Sequence, residues 1–121
     1  MVIAITVGEQ PKLQARETET IWGFNVKEIT QDIYRDYLLE SREGVLVSFV
    51  EAGTAAGEAR LREGDVIMRI EDKPVVSLPV FEKIYGAMKE NTRQVLVLVK
   101  RRKDAVFVLL EIDKYRQKNR N

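Results

Sequence analysis

Short runs of hydrophobic residues, separated by turns that contain glycine or charged residues, recur along the chain. In residues 24–29 apolar and polar side chains alternate, which predicts a strand with one solvated face. Two of the continuous runs meet at the charged turn 101–104, which is typical of an antiparallel hairpin. Further strands are predicted at 2–7, 45–50, 65–70, 94–100 and 105–112.

Helical spacing appears in two segments. Thr30 can cap a short amphipathic helix over 31–39, with an acid in its first turn. Ser77 is a candidate N-cap and Pro79 suits a first turn, so the main helix is predicted at 78–90. A smaller helical turn is expected at 55–59. About five or six strands and two proper helices predict an α+β fold, a small β-sandwich or open barrel capped by helices.

A chain of 121 residues has room for one domain and a short extension. The predicted division is an N-terminal strand and linker at 1–17, the domain at 18–113 and a polar tail at 114–121. Residues 12–20 are polar and are read as linker. The longest apolar runs are far shorter than the ~20 residues of a membrane span, so no membrane insertion is expected.

The charge balance and the missing residue types narrow the function. Lys plus Arg is 20 and Asp plus Glu is 19, which argues against a dedicated nucleic-acid binder. There is no His and no Cys, so imidazole-assisted nucleophiles and the usual Cys or His metal sites are excluded. A Ser-Lys pair or paired carboxylates remain formal alternatives, but no residue spacing indicates either. No catalytic residue, metal or cofactor is predicted.

The segment from Gly44 to Ile70, GVLVSFVEAGTAAGEARLREGDVIMRI, carries a recognisable signature. It resembles the central part of bacterial PDZ domains, and more narrowly those of HtrA-type (Do-type) serine proteases. The resemblance covers roughly residues 20–113 and implies a PDZ-like fold. The opening stretch 2–11 looks like the last strand of a preceding domain, which implies a second PDZ domain; an ordinary edge strand is the alternative.

The resemblance also assigns a binding loop. Ile21, Trp22, Gly23 and Phe24 match the family's carboxylate-binding pattern, in which converging backbone N–H groups hold the C-terminal carboxylate of a peptide. Arg16 is a candidate supplementary cation, one position away from the usual basic residue. The alternative is that Trp22 and Phe24 are simply core residues at the start of a strand.

The same resemblance implies a groove between a strand and the main helix. Asn25, Val26 and Lys27 should pair with an extended peptide through main-chain hydrogen bonds. The predicted groove wall consists of Phe81, Ile84, Tyr85 and Met88; Ile84 is also assigned, together with Ala87, to the core. A one-residue rotation of the helix would exchange the two faces.

These residues imply a protein that recognises polypeptides, with a preference for apolar C-termini. The expected partners are C-terminal or extended segments of other proteins, and domains or subunits of the parent molecule. The family is generally extracytoplasmic, so the bacterial periplasm is the expected location. A structural domain that docks on a neighbour without binding free peptides is the alternative. One departure from the family pattern, Arg60 in place of the usual glycine, predicts either backbone strain of roughly 1 kcal/mol or a different local turn.

Overall fold

A computed structural model describes residues 16–113. Its strands are β1 (Glu17–Glu19), β2 (Phe24–Glu28), β3 (Val45–Val50), β4 (Val66–Ile70), β5 (Lys73–Pro74), β6 (Val95–Arg101) and β7 (Asp104–Leu110). Its helices are α1 (Gln31–Asp36), α2 (Ala55–Glu58) and α3 (Leu78–Met88). The PDZ-like α+β fold predicted from the sequence is confirmed, with β1 and β5 as additional short strands.

The strands form one antiparallel sheet in the order β1-β2-β3-β4-β6-β7, and β5 pairs with β4. The β6–β7 hairpin is the longest pairing, with Val97 opposite Val108 near its centre. Strand β2 lies between β3 on one side and β1 on the other. Among the described residues, β1 therefore occupies the edge position next to β2.

Each helix begins at a hydroxyl side chain. Thr30, Thr54 and Ser77 accept hydrogen bonds from backbone N–H groups in the first turns of α1, α2 and α3. Such caps satisfy N–H groups that have no partner inside the helix, and each contributes about 1 kcal/mol. The capping predicted for α1 and α3 is confirmed.

The main core lies between the sheet and α3. From the helix it receives Leu78, Phe81, Ile84 and Tyr85, and the strands contribute mainly valine and isoleucine. A smaller cluster of Ile29, Leu46 and Val66 lies under α1. The helix thus turns one face toward the sheet, and this fixes its rotation relative to β2.

Two predictions need correction here. The polar composition of residues 17–19 predicts a linker, but these residues form β1, whose pairing depends on backbone groups rather than on apolar side chains. Ala87 is exposed, so its assignment to the core is wrong; the helix rotation places Phe81 inward instead. The predicted strand at 2–7 and the tail at 114–121 lie outside the described residues.

Candidate functional site

The turn from Thr20 to Phe24 joins β1 to β2 and is anchored through its carbonyl groups. The Trp22 carbonyl accepts from the Ala56 N–H at 3.1 Å, and the Gly23 carbonyl accepts from the Glu51 N–H at 2.8 Å. These bonds attach the turn to α2 and to the end of β3. These carbonyl groups are bonded to N–H groups outside the turn, and the N–H groups of the turn itself bond to other acceptors.

Three N–H groups of this turn donate to side-chain hydroxyl oxygens. The Ile21 N–H donates to Tyr85 Oη at 2.7 Å. The N–H groups of Trp22 and Phe24 both donate to Thr20 Oγ1, at 3.3 and 3.4 Å. The last two bonds are long and therefore weak. The N–H groups of Trp22 and Phe24 thus converge on one oxygen, and such a pair is suited to hold a negatively charged oxygen.

Gly23 is required by both the backbone and the space around it. Its φ is +105°, a conformation that residues with a Cβ atom rarely adopt. A Cβ atom at this position would lie 2.0 Å from Thr54 Oγ1 and 2.3 Å from Thr54 Cβ. The N-cap of α2 is therefore packed directly against the turn, and any side chain at residue 23 would displace it.

The edge of β2 is covered by β1. Glu17 lies opposite Lys27, Thr18 opposite Val26 and Glu19 opposite Asn25. The Glu28 N–H donates to the Arg16 carbonyl at 2.9 Å, and the Thr20 N–H donates to the Phe24 carbonyl at 3.0 Å. Strand β1 is antiparallel to β2 and runs toward the turn.

The side chains of β1 contact both sides of the groove. The Thr18 hydroxyl donates to Glu82 Oε2 at 2.6 Å, and Arg16 Nη2 lies 3.4 Å from Glu82 Oε1. Toward the sheet, Glu17 accepts from Ser48 Oγ at 2.8 Å and from Asn25 Nδ2 at 3.1 Å. The hydrogen bond from Ser48, followed by that from Asn25, lowers the pKa of Glu17 below its ordinary value.

The residues of the predicted groove wall are divided between the core and the groove. Phe81 is fully buried, Ile84 and Tyr85 are almost so, and Met88 is half-buried against the core. Phe81 and Ile84 therefore belong to the core in this conformation, while Tyr85 reaches the turn through its hydroxyl. Glu82, absent from the sequence-based set, is the helix side chain that faces β1. The i, i+4 spacing alone could not distinguish these faces.

Trp22 and Phe24 are both buried, with 1% of each residue exposed. The Trp22 ring meets the Tyr85 ring edge-on at 4.9 Å, and Phe24 meets Phe81 at 6.3 Å. Their side chains are core residues, as the alternative interpretation of the sequence held. Burial of these side chains is compatible with a carboxylate-binding loop, because the proposed carboxylate contacts are made by backbone N–H groups and not by the aromatic rings.

Sequence reasoning did not select Thr18, Thr20 or Glu82. Thr18 and Thr20 lie in a stretch whose composition predicts a linker, and Glu82 is one of 19 acidic residues. A signal was available for Thr20, because a hydroxyl residue immediately before a turn with free N–H groups often bonds to them. The pairing of Thr18 with Glu82 joins residues 64 positions apart, which no local pattern predicts.

The model of the PDZ domain family matches residues 10–100 of the sequence. The chain belongs to the PDZ domain family. Among curated relatives, a probable periplasmic serine endoprotease DegP-like from Pseudomonas fulva is 28% identical over 100 residues, which is 83% of this chain and 21% of the relative. The corresponding protein of Chlamydia pneumoniae is 34% identical over 83 residues, 69% of this chain and 17% of the relative.

This PDZ domain thus spans about a fifth of the length of those relatives. Among solved structures, it is similar to the HtrA3 PDZ domain bound to a phage-derived ligand, FGRWV, with a TM-score of 0.63 and 16% identity over 81% of this chain and 88% of that one. It is also similar to the HtrA-type protease AlgW with a decapeptide, with a TM-score of 0.65 and 20% identity over 80% of this chain and 29% of that one. These two likenesses concern the fold.

No helix within residues 16–113 is long and apolar enough to cross a bilayer. No group of three or more acidic residues in the same range is arranged to hold a metal ion.

Proposed function

We propose that this PDZ domain binds the C-terminal or extended segment of a partner polypeptide in the groove between β2 and α3. The observation that carries the proposal is the turn in which the N–H groups of Trp22 and Phe24 converge on one hydroxyl oxygen, that of Thr20, while the Ile21 N–H donates to the Tyr85 hydroxyl. A peptide carboxylate is a stronger acceptor than a hydroxyl because it is charged. The same turn leads into β2, whose backbone can pair with a peptide strand in place of β1.

Two further facts support this proposal. The structurally similar HtrA3 PDZ domain and AlgW were solved with a peptide ligand and a decapeptide, respectively. The relatives in sequence are named periplasmic serine endoproteases. We therefore propose that the domain is a non-catalytic substrate-binding or regulatory module of an HtrA-type serine protease in the periplasm. Its position as a second PDZ domain, with residues 2–11 as part of a preceding one, remains a prediction.

The test is an NMR titration of the whole chain with the pentapeptide FGRWV, once with a free C-terminal carboxylate and once with a C-terminal amide. The expected result is a set of chemical-shift changes at Ile21–Phe24 and at Asn25–Lys27. Binding of the amidated peptide should be at least about tenfold weaker, because it removes the charge that the N–H groups would hold. The amidated peptide is the matched control, since it differs only at the last group.

A titration with no shift at any residue, by either peptide, would contradict the proposal. It would favour the alternative role, docking on a neighbouring domain or subunit. Equal shifts with both peptides would contradict carboxylate recognition and leave strand pairing as the mode of binding. The pattern of affected residues thus separates the three cases.

A further inference from the structure

We propose that residues 16–20 are an intramolecular ligand of this domain, which a partner polypeptide must displace in order to bind. The proposal rests on the proposed function, because it concerns the same groove. It predicts that the resting domain is closed and that its affinity for partners depends on how often β1 is released.

The first argument is that β2 has only one edge available for a peptide. Its other edge is paired with β3, from Phe24 opposite Val50 to Glu28 opposite Val45. The available edge is taken by β1 along three residue pairs. A backbone N–H or C=O group already paired with β1 cannot form the same bond with another strand. A partner strand therefore has to replace β1.

The second argument is the direction of β1 and its end. It is antiparallel to β2 and runs toward the turn, so that Thr20, the residue that follows its last residue, lies beside the turn's N–H groups. Thr20 Oγ1 accepts from two of them at 3.3 and 3.4 Å. A free C-terminus at this place would bring two charged oxygens instead of one hydroxyl. Thr20 thus stands where the end of a partner would lie.

The third argument concerns the side chains, and it gives the chemistry of the partner. Thr18, two residues before Thr20, donates to Glu82, which is also paired with Arg16. A partner that takes the place of β1 should carry a hydroxyl or a basic side chain two residues before its C-terminus. Glu82 would then accept from it as it accepts from Thr18. An acidic residue at that position should be rejected by charge repulsion.

The fourth argument is that β1 can leave without opening the core. It has three residues, and Glu17 and Glu19 are exposed while Thr18 is only partly buried. No side chain from 16–20 belongs to the buried core clusters of the described residues. Segments of this kind open locally at a small fraction of the cost of global unfolding. Release of β1 is therefore compatible with a folded domain.

The experiment locks β1 with a reversible crosslink. Glu19 and Asn25 lie opposite each other, between the hydrogen-bonded pair Thr20–Phe24 and the next pair along, so their Cα atoms should be close enough for a disulfide. The native chain has no Cys, so the double variant E19C/N25C forms one defined bond. The affinity for FGRWV is measured by calorimetry in the oxidised and in the reduced state.

We expect the oxidised variant to bind FGRWV at least about tenfold more weakly than the reduced one, because apparent affinity scales with the fraction of open molecules. The hexapeptide ARETET, which has the sequence of residues 15–20, should also bind the oxidised variant more weakly than the reduced one. The peptide FGEWV, in which the basic residue becomes acidic, should bind the reduced variant more weakly by at least about threefold. Equal affinity in both redox states would overturn the inference and leave the proposed function intact.

A second pair of variants removes β1 without a crosslink. Thr18→Pro deletes an N–H group expected to pair with Val26, whereas Thr18→Val keeps that group and removes only the hydroxyl. Thr18→Pro should bind FGRWV about tenfold more tightly than the native chain. Thr18→Val should also bind it more tightly, but by a smaller factor. Native affinity in Thr18→Pro would overturn the inference alone. Binding by no variant would overturn the proposed function and the inference together.

Discussion

Replacing Thr20 with valine removes one hydroxyl group and keeps the shape of the side chain. The hydroxyl donates to the Phe24 carbonyl at 2.8 Å and accepts from the N–H groups of Trp22 and Phe24 at 3.3 and 3.4 Å. In Thr20→Val both N–H groups lose this acceptor, and the Phe24 carbonyl retains only its bond from the Thr20 N–H at 3.0 Å.

The free energy of unfolding should fall by about 1–2 kcal/mol in Thr20→Val. The short bond to Phe24 contributes about 0.5–1.5 kcal/mol. The two long bonds contribute little by themselves, but the N–H groups left in a partly buried turn add some desolvation cost. For a domain of this size, each kcal/mol lowers Tm by about 4–8 °C.

Urea unfolding can be followed through Trp22, the only tryptophan of the chain, which is buried beside the turn. The matched control is Thr92→Val, because the Thr92 hydroxyl makes no hydrogen bond within residues 16–113. Its stability should stay within about 0.5 kcal/mol of the native value. A loss in Thr20→Val no larger than in this control would refute the assigned role of the hydroxyl.

The same substitution should improve peptide binding while it lowers stability. With no hydroxyl in competition, the N–H groups of Trp22 and Phe24 are available to a carboxylate. FGRWV should therefore bind Thr20→Val at least about threefold more tightly than the native chain, and its amidated form should gain less. A parallel loss of stability and affinity would mean that Thr20 only shapes the turn.

Three further predictions concern stability. Arg60 has a φ of 69°, so Arg60→Gly should raise the free energy of unfolding by about 0.5–1 kcal/mol in urea unfolding; an unchanged midpoint would contradict the inferred strain. Arg101 binds the buried Asp65 carboxylate through hydrogen bonds of 2.8 and 2.9 Å. Arg101→Ala should therefore lower the free energy of unfolding by about 2–3 kcal/mol, which is less than for a fully buried pair because water can reach the site. The control is Arg93→Ala, since Arg93 makes no side-chain ion pair among the described residues, and an equal loss there would refute the assignment. Glu17 has a lowered pKa, so its contribution to stability is present above the ordinary glutamate pKa and is lost as the pH falls through the lowered pKa of the folded state. The difference in stability between the native chain and Glu17→Gln should therefore narrow as the pH falls below the ordinary glutamate pKa, and a constant difference would refute this role of Glu17.

Much of the fold could be predicted because the patterns that encode it are local. The helix caps at Thr30 and Ser77 and the strand runs each depend on a few adjacent residues. The strain expected at Arg60 agrees with its positive φ, since a glycine position in the family signature is a backbone requirement. The Arg60 carbonyl also accepts from Arg101, which helps to hold that conformation.

The arrangement of the groove could not be predicted for a different reason. Helix α3 has apolar residues on two neighbouring faces, and only packing against Phe24 and Trp22 decides that Phe81 turns inward and Glu82 toward β1. Strand β1 has no apolar pattern, because its pairing uses backbone atoms and its side chains bond to Glu82, Asn25 and Ser48. Hydrophobic periodicity indicates which side chains are buried, so it does not predict a strand that is held by polar contacts.

The polar character of β1 also follows from what its place in the groove demands. A strand with large apolar side chains would bury them against the helix and add stability that a partner would have to overcome. Short polar residues such as Thr18 and Thr20 form hydrogen bonds whose net contribution is small, because water replaces them on release. A partner with a charged carboxylate can then compete, since it offers the same N–H groups a stronger acceptor. The segment ETET at 17–20 is therefore suited to cover the groove and also to be displaced from it by a partner.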